Sequence, residues 1–143
     1  MVDISLLGDK ELQRKLQRLP YALQKKIVRP SLRAAARPML ATAKATCPED
    51  EGKLKKALKL HAMKSRRRDQ FGIVVDTGTR EKLGIPADET SYYPMSVEFG
   101  HGGPHPAPAH PFLRPAFDTN KERAKRIIAR EIGQRITAEA RKP

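Results

Sequence analysis

The sequence predicts an α+β fold with helices at both ends and a small antiparallel sheet between them. Apolar residues recur at helical spacing in the first third of the chain and again near its C-terminus. Between these regions, two short segments have the alternating or β-branched character of strands. We therefore expect a single domain over residues 1–143, helical over 9–46, with sheet and long loops over 52–111 and an amphipathic C-terminal helix over 119–140.

The N-terminal region is predicted to form two helices. The leucines that mark the first helix are Leu12, Leu16 and Leu19. Pro20 suits the first turn of a second helix, because its missing N–H would have no partner there. Pro30 and Pro38 lie inside the apolar pattern of that second helix. Since each removes a backbone donor and clashes with the preceding turn, we expect kinks or breaks at both.

The middle of the chain is predicted to contain a hairpin and long loops. Residues 58–63 alternate between apolar and polar, and residues 71–75 are short and β-branched, so a basic turn over 65–70 would form the hairpin tip. Residues 79–91 have no periodicity and indicate an exposed loop. Residues 101–111 contain four prolines and two glycines, which predicts an extended connector.

The last third begins with a segment of ambiguous structure and ends in a clear helix. Residues 92–100 could form a short helix or a short strand, and Pro94 disfavours a central strand. Thr119 with Glu122 forms a capping box that predicts the start of the final helix. The apolar stripe of this helix consists of Ala124, Ile127, Ile128, Ile132 and Ile136. We expect its isoleucines at 127, 128 and 132 to be buried against the first helices or the sheet.

Composition restricts the classes of partner. Lys and Arg number 29 against 16 Asp and Glu, giving a net charge of +13, which favours contact with a polyanion. The basic residues are dispersed and no base-reading motif is present, so any contact with a nucleic acid is expected to be electrostatic and independent of sequence. A single cysteine excludes an internal disulfide framework. Since there is neither an apolar run of membrane length nor a signal-like N-terminus, we predict a soluble protein of a reducing compartment without a membrane partner.

Histidine and cysteine are residue types of this chain that could bind a metal ion or act as a nucleophile. Three imidazoles occur close together, at His101, His105 and His110, but no Cys or acidic residue has matching spacing, so no metal site is predicted. Cys47 has no base that the sequence places beside it, and a small buried side chain is expected.

One short motif resembles part of a nuclease site. Glu51-Gly52-Lys53 matches the Glu-x-Lys half of a metal-dependent nuclease, with Asp76 as a candidate second carboxylate. In that class of enzyme the isolated Asp usually precedes the Glu-x-Lys, so a nuclease is the weakest alternative. We predict no catalytic residue and no cofactor.

Four pieces of sequence, taken in order, are more informative than any one alone. They are KELQRKLQRLP after Gly8, AKATCPEDEGKLKKALK at 43–59, YYPMSVEFG at 92–100 and HPFLRPAFD at 110–118. In this order they resemble the family of small phage tail components typified by gene product ten of a lambdoid phage. Members are also described as neck or tail-completion proteins and are similar to the minor tail protein Z of phage lambda.

The resemblance rests on three motifs. The turn motif between helix and sheet is formed by Pro48, Gly52 and Leu54. The second motif is formed by Tyr93, Val97, Glu98, Phe99 and Gly100. The third motif is formed by Pro111, Phe112, Leu113, Arg114, Pro115 and Ala116. The chain departs from the family at Glu51 and His101, where threonine is often found.

The resemblance implies a structural virion protein rather than an enzyme. Such a protein would form a homo-oligomeric ring, expected to be a hexamer, around the DNA channel at the head–tail junction of a long-tailed phage. Its partners would be other phage neck and tail proteins and double-stranded DNA, in the host cytoplasm during assembly and then in the virion. The alternatives are a sequence-independent nucleic-acid-binding protein that is monomeric or dimeric and, less favoured, the nuclease.

The second and third motifs are predicted to serve assembly. Residues 92–118 hold five of the seven aromatic residues of the chain, and aromatics dominate interface energetics. Phe99 and Phe112 could equally anchor the chain's own core. Arg114 is expected to meet a carboxylate, either Glu98 of its own or a neighbouring chain, or an acidic group on the next ring.

Overall fold

The computed structural model describes residues 10–48, 52–68, 70–79, 81, 86, 94–100, 102–104 and 106–143. The elements in chain order are α1 (Lys10–Gln17), α2 (Tyr21–Thr46), α3 (Lys53–Ala57), β1 (Lys59–Ala62), β2 (Ile73–Asp76), α4 (Pro94–Phe99) and α5 (Leu113–Ala140). The predicted α+β class is confirmed. The region expected to hold only sheet and loops also contains two short helices, α3 and α4, and the helical alternative for 92–100 is the correct one. None of the described helices is both long enough and apolar enough to cross a bilayer.

Helix α2 runs without interruption through Pro30 and Pro38. The prolines therefore do not break it, although each costs about 3 kcal/mol in a helix interior. Packing explains the difference, because α2 buries a long face whose members are Ile27, Val28, Ser31, Ala35, Met39 and Ala43. Tertiary burial of this kind outweighs an unfavourable local propensity.

Helix α5 begins at Leu113, well before the predicted start at residue 119, and ends at Ala140 as expected. Thr119 and Glu122 lie inside the helix and are exposed, so their capping box does not define its start. The residue at the N-cap is Phe112, whose side chain cannot accept a hydrogen bond. The first amides of α5 must therefore find their acceptors elsewhere.

The two long helices α2 and α5 pack antiparallel. Near one end Lys26 Nζ lies 2.9 Å from Glu139 Oε1, and nearer the other Asn120 Nδ2 donates to Thr42 Oγ1 at 2.9 Å. At a rise of 1.5 Å per residue, each helix is roughly 40 Å long. Their interface is divided between two groups of buried side chains.

The first group, the aliphatic cluster, joins residues 27–39 of α2 to residues 124–132 of α5. Its buried members are Ile27, Ala35, Met39, Ala124, Ile128 and Ile132. The leucines of α1 and Ile127 pack against it while partly exposed. The predicted burial is confirmed for Ile128 and Ile132, at 2% and 1% exposed, whereas Ile127 is half-buried.

The second group, the junction cluster, lies at the opposite end of the helix pair. Its buried members are Ala43, Cys47, Leu54, Ala57, Leu58, Phe112 and Ala116. Val75 of β2 and Val97 of α4 pack against it. The cluster therefore draws on every element except α1 and β1.

Strands β1 and β2 form the predicted antiparallel hairpin, with Lys59 opposite Asp76 and Ala62 opposite Ile73. The hairpin is fixed to α2 at two points. Arg33 Nη1 donates to the carbonyl oxygen of Leu60 at 3.3 Å. The rings of Tyr21 and Phe71 stack with centroids 5.8 Å apart.

Candidate assembly site

Glu98 joins the second motif to the third. Its side chain is buried, at 6% exposed. Oε2 accepts the N–H groups of Phe112 at 2.8 Å and Leu113 at 3.0 Å, and Oε1 accepts that of Arg114 at 3.0 Å. These are the amides at the start of α5 that lack a local cap. A carboxylate at a helix N-terminus is also favoured by the helix dipole, so Glu98 accounts for the early start of α5.

The electrostatics of this contact favour an ionised Glu98. Burial raises the pKa of its carboxyl. The hydrogen bonds from the backbone of Leu113, Phe112 and Arg114, with the positive charge of Arg114, outweigh burial and bring the pKa below its ordinary value. The carboxylate is therefore held in the form that caps α5.

The backbone makes further connections at the same place. The His110 N–H donates to the carbonyl oxygen of Val97 at 2.8 Å. Gly100 has a φ of 73°, and a Cβ added there would lie 2.8 Å from Ala109 N and 2.9 Å from Ala107 O. Only glycine permits both this conformation and this close approach. We call residues 97–100 and 107–114 the α4–α5 junction.

The turn motif also contributes to the junction cluster. Gly52 adopts a left-handed conformation, φ 69°, at the N-cap of α3. The following Leu54 is 8% exposed and belongs to the junction cluster together with Phe112. Pro48, just after α2, is half-buried. Residues from all three motifs thus meet at one end of the α2–α5 pair.

The two phenylalanines of the junction differ in their exposure to solvent. Phe112 is completely buried, whereas Phe99 is 70% exposed. The core alternative considered for both is therefore correct for Phe112 and wrong for Phe99. Pro111 and Pro115 are exposed on either side of Phe112. Tyr93 lies outside the described residues.

Arg114 contacts Glu98 through its backbone rather than through its guanidinium. Its side chain is 84% exposed, and Nε lies 4.0 Å from Asp118 Oδ2, one turn along α5. An exposed pair at this distance contributes little to stability. Within the described chain the guanidinium therefore pairs weakly with Asp118, rather than with Glu98 as expected, and its charged end remains accessible.

The residues considered for metal binding are only partly described. His101 and His105 lie outside the described residues, and His110 is exposed. Within the described ranges, no group of three or more His, Cys, Asp or Glu side chains is arranged to hold a metal ion. Cys47 is a buried thiol, as predicted, and its Sγ donates to Lys44 O at 3.4 Å.

The carboxylates considered for a nuclease site are also only partly described. Glu51 lies outside the described residues. Asp76 accepts the Gly78 N–H at 3.0 Å through Oδ1, and its Oδ2 lies 3.4 Å from His61 Nε2. Both oxygens of Asp76 thus have neighbours at the end of β2.

Comparison with known protein families identifies the relatives of the chain. The family model described as "Bacteriophage HK97-gp10, putative tail-component" matches residues 10–101. The chain belongs to this family of phage tail components. The match covers the turn motif and the second motif, and the third motif lies beyond it. Searches of curated proteins and of solved structures gave no significant match.

Sequence reasoning identified Glu98 as a motif residue but missed its role as the cap of α5. The sequence contains only an indirect signal of this role: the residue directly before Leu113 is not Ser, Thr, Asp or Asn, the usual capping residues. Such a missing local cap indicates that a distant side chain must supply one.

Proposed function

We propose that this tail component is a structural, non-enzymatic subunit of a homo-oligomeric ring, expected to be a hexamer, that completes the head–tail junction around the DNA channel. Membership of the tail-component family and the net charge of +13 support this proposal. The chain would act in the virion after assembly in the host cytoplasm. Its partners would be further copies of itself and other phage neck and tail proteins.

The observation that carries the assembly role is the exposure of Phe99. A large aromatic side chain that is 70% exposed loses apolar hydration when it enters a partner's pocket. The residues on either side of it are held firmly, since Glu98 caps α5 and Gly100 packs against residues 107–109. A preorganised anchor loses little conformational entropy on binding.

Arg114, Pro111 and Pro115 would complete the same face. All three are exposed, and the prolines present rigid apolar surface close to Arg114 in the sequence. In this proposal the guanidinium binds a carboxylate of the neighbouring subunit or of the next ring. Arginine is suited to such a contact because its planar donors match a carboxylate in pairs.

The assembly role is tested by separating folding from association. Phe99→Ala and Arg114→Ala are each expected to keep the melting temperature of the parent, since exposed substitutions change stability by about 0.5 kcal/mol or less. The same variants should lose the oligomer in native mass spectrometry and fail to join tails. Val74→Ala is the matched control, because Val74 is exposed but far from the junction in sequence, on β2. Unchanged assembly, or unfolding of the isolated subunit, would place the interface elsewhere.

The rival function is that of a monomeric or dimeric nucleic-acid-binding protein, favoured by the excess of positive charge. The mass of the protein in solution distinguishes the two, because a small species that binds DNA tightly and never enters tails supports the rival. Mg²⁺-dependent DNA cleavage that disappears in Glu51→Ala would instead indicate the nuclease.

A further inference from the structure

The tip of the hairpin, residues 64–68, concentrates positive charge. Four of its five residues are basic, namely Lys64, Arg66, Arg67 and Arg68, and all five residues are exposed. The fifth residue, Ser65, is polar as well. No other five consecutive residues of the sequence include four basic ones.

The tip has a defined conformation despite the repulsion between its charges. Between the tip and the paired strands, the Met63 N–H donates to Gly72 O at 2.8 Å. Within it, the Arg67 N–H donates to Ser65 Oγ at 3.1 Å, and Ser65 Oγ donates to Gln70 Oε1 at 3.1 Å. These contacts keep like charges close together, and with Asp69 next in sequence the segment 64–69 still has a net charge of +3.

Three of the four cations of the tip have no carboxylate partner among the described residues. None of the ion pairs formed between described residues includes Lys64, Arg66 or Arg68. By contrast, several cations of α5 have acidic neighbours one turn away, such as Lys125 with Glu122 and Arg135 with Glu131. The tip is therefore available to an external anion.

We propose that the hairpin tip is the element that binds the phosphate backbone of double-stranded DNA. This inference rests on the proposed position of the chain around the DNA channel. Lys, Arg and Ser side chains are among the groups that contact phosphate and sugar without reading sequence. An acidic protein surface is a poorer partner, because the tip contains no apolar or aromatic residue to form the core of a protein interface.

The test compares two triple variants of the full-length protein with equal loss of charge. The first is Lys64→Gln, Arg66→Gln and Arg68→Gln, at the tip. The control is Lys121→Gln, Arg123→Gln and Arg126→Gln, three exposed residues of α5. Affinity for a 30-base-pair duplex of arbitrary sequence is measured across a salt series, and circular dichroism verifies that both variants fold.

The tip variant is expected to lose affinity on the order of 10²-fold near 0.1 M salt, and its salt slope should fall by about 0.9 for each phosphate contact removed. The α5 control should retain most of its affinity and slope. Equal losses in both variants would overturn the proposal, since binding would then depend on net charge alone. A preference for one DNA sequence would also overturn it.

Incorporation into tails separates this inference from the proposed function. If the parent protein enters tails and the tip variant binds DNA like the parent, only the role of the tip is refuted. If the tip variant keeps DNA affinity but fails to enter tails, the tip binds an acidic tail protein instead. If the parent itself never enters tails, the proposed function fails, whatever the DNA measurements give.

Discussion

The two ends of the α2–α5 pair are held together in different ways. At the aliphatic cluster, many small and medium apolar side chains share the burial, and α1 adds partly exposed leucines. At the junction cluster, one large ring, Phe112, is fully buried among smaller residues, and a single carboxylate holds three backbone amides. The first arrangement spreads its stability over many contacts, while the second depends on a few specific ones.

The difference matters because the end held by a few specific contacts also carries the exposed groups that are proposed to bind a partner. The Phe99 ring, the Arg114 guanidinium and the prolines on either side of Phe112 all lie on the surface of the α4–α5 junction. Fixing these groups in one geometry requires directional contacts, which a diffuse apolar cluster cannot supply. We therefore expect the junction to respond sharply to single changes, and the aliphatic cluster to respond in proportion to the volume removed.

The largest loss is expected from Phe112→Ala. Removing this fully buried ring should cost about 3–5 kcal/mol of unfolding free energy. Urea denaturation measures the change, and Phe99→Ala is the control on the same junction with an exposed ring. Equal stability in the two variants would mean that the junction cluster contributes little to the fold.

Ile128→Ala tests the aliphatic cluster. Ile128 is 2% exposed, so truncation should cost about 2–5 kcal/mol. Its neighbour Ile127 is only half-buried, and Ile127→Ala should cost clearly less. If Ile128→Ala melts at the temperature of the parent, α5 is not held by this cluster.

Gly100→Ala tests whether close backbone approach limits the junction. The added Cβ would meet two backbone atoms of residues 107–109 at less than 3 Å, in addition to the strain of a positive φ, for a cost of about 2–4 kcal/mol. Gly52→Ala is a matched control, because Gly52 has nearly the same φ but nothing within 4 Å. Similar melting temperatures for both variants would show that the connector moves away at little cost.

Glu98→Gln tests the cap of α5. An amide retains one accepting oxygen, so at least one N–H loses its partner and the charge is lost, at a cost of about 1.5–3 kcal/mol at neutral pH. Because the folded-state pKa of Glu98 is lowered, its contribution is complete above the ordinary value near 4.5 and is lost as the pH falls through the folded value. The difference in stability between parent and variant should therefore shrink in acid.

The control for this experiment is Glu122→Gln, an exposed glutamate of α5 whose loss should change stability by less than about 0.5 kcal/mol. A difference between Glu98→Gln and the parent that stays constant down to acidic pH would contradict the capping role.

The smallest effect is expected from Lys26→Met, at the aliphatic end. The hydrogen bonds from Lys142 and Lys26 lower the pKa of Glu139, but the Lys26 side chain is 58% exposed, so solvent and salt reach the ion pair. Any fall in melting temperature at low salt should vanish in 0.5 M NaCl because of screening, where the Debye length is only a few ångströms. Lys25→Met, one residue away, is the control. A salt-independent loss would mean that the pair is effectively buried.

Much of the architecture was predictable because its signals are local and periodic. Leucine and isoleucine spacing predicted α1, the C-terminal end of α5 and the burial of Ile128 and Ile132. Alternation and β-branching predicted the hairpin. The three motifs of the tail-component resemblance identified the residues of the junction, but not which of them face inward.

The features that could not be predicted depend on contacts between segments that are distant in sequence. The start of α5 could not be read near Thr119, because its cap is Glu98, which lies 14 residues before Phe112. The directions of Phe99 and Phe112 depend on how α4 folds back onto α5, and the continuity of α2 through its prolines depends on burial against α5. By itself the sequence determined which segments become helix or strand, since each segment carries its own periodicity. The caps, the inward and outward faces and the tolerated prolines were decided by tertiary structure, because their free energy comes from groups that meet only after the chain has folded.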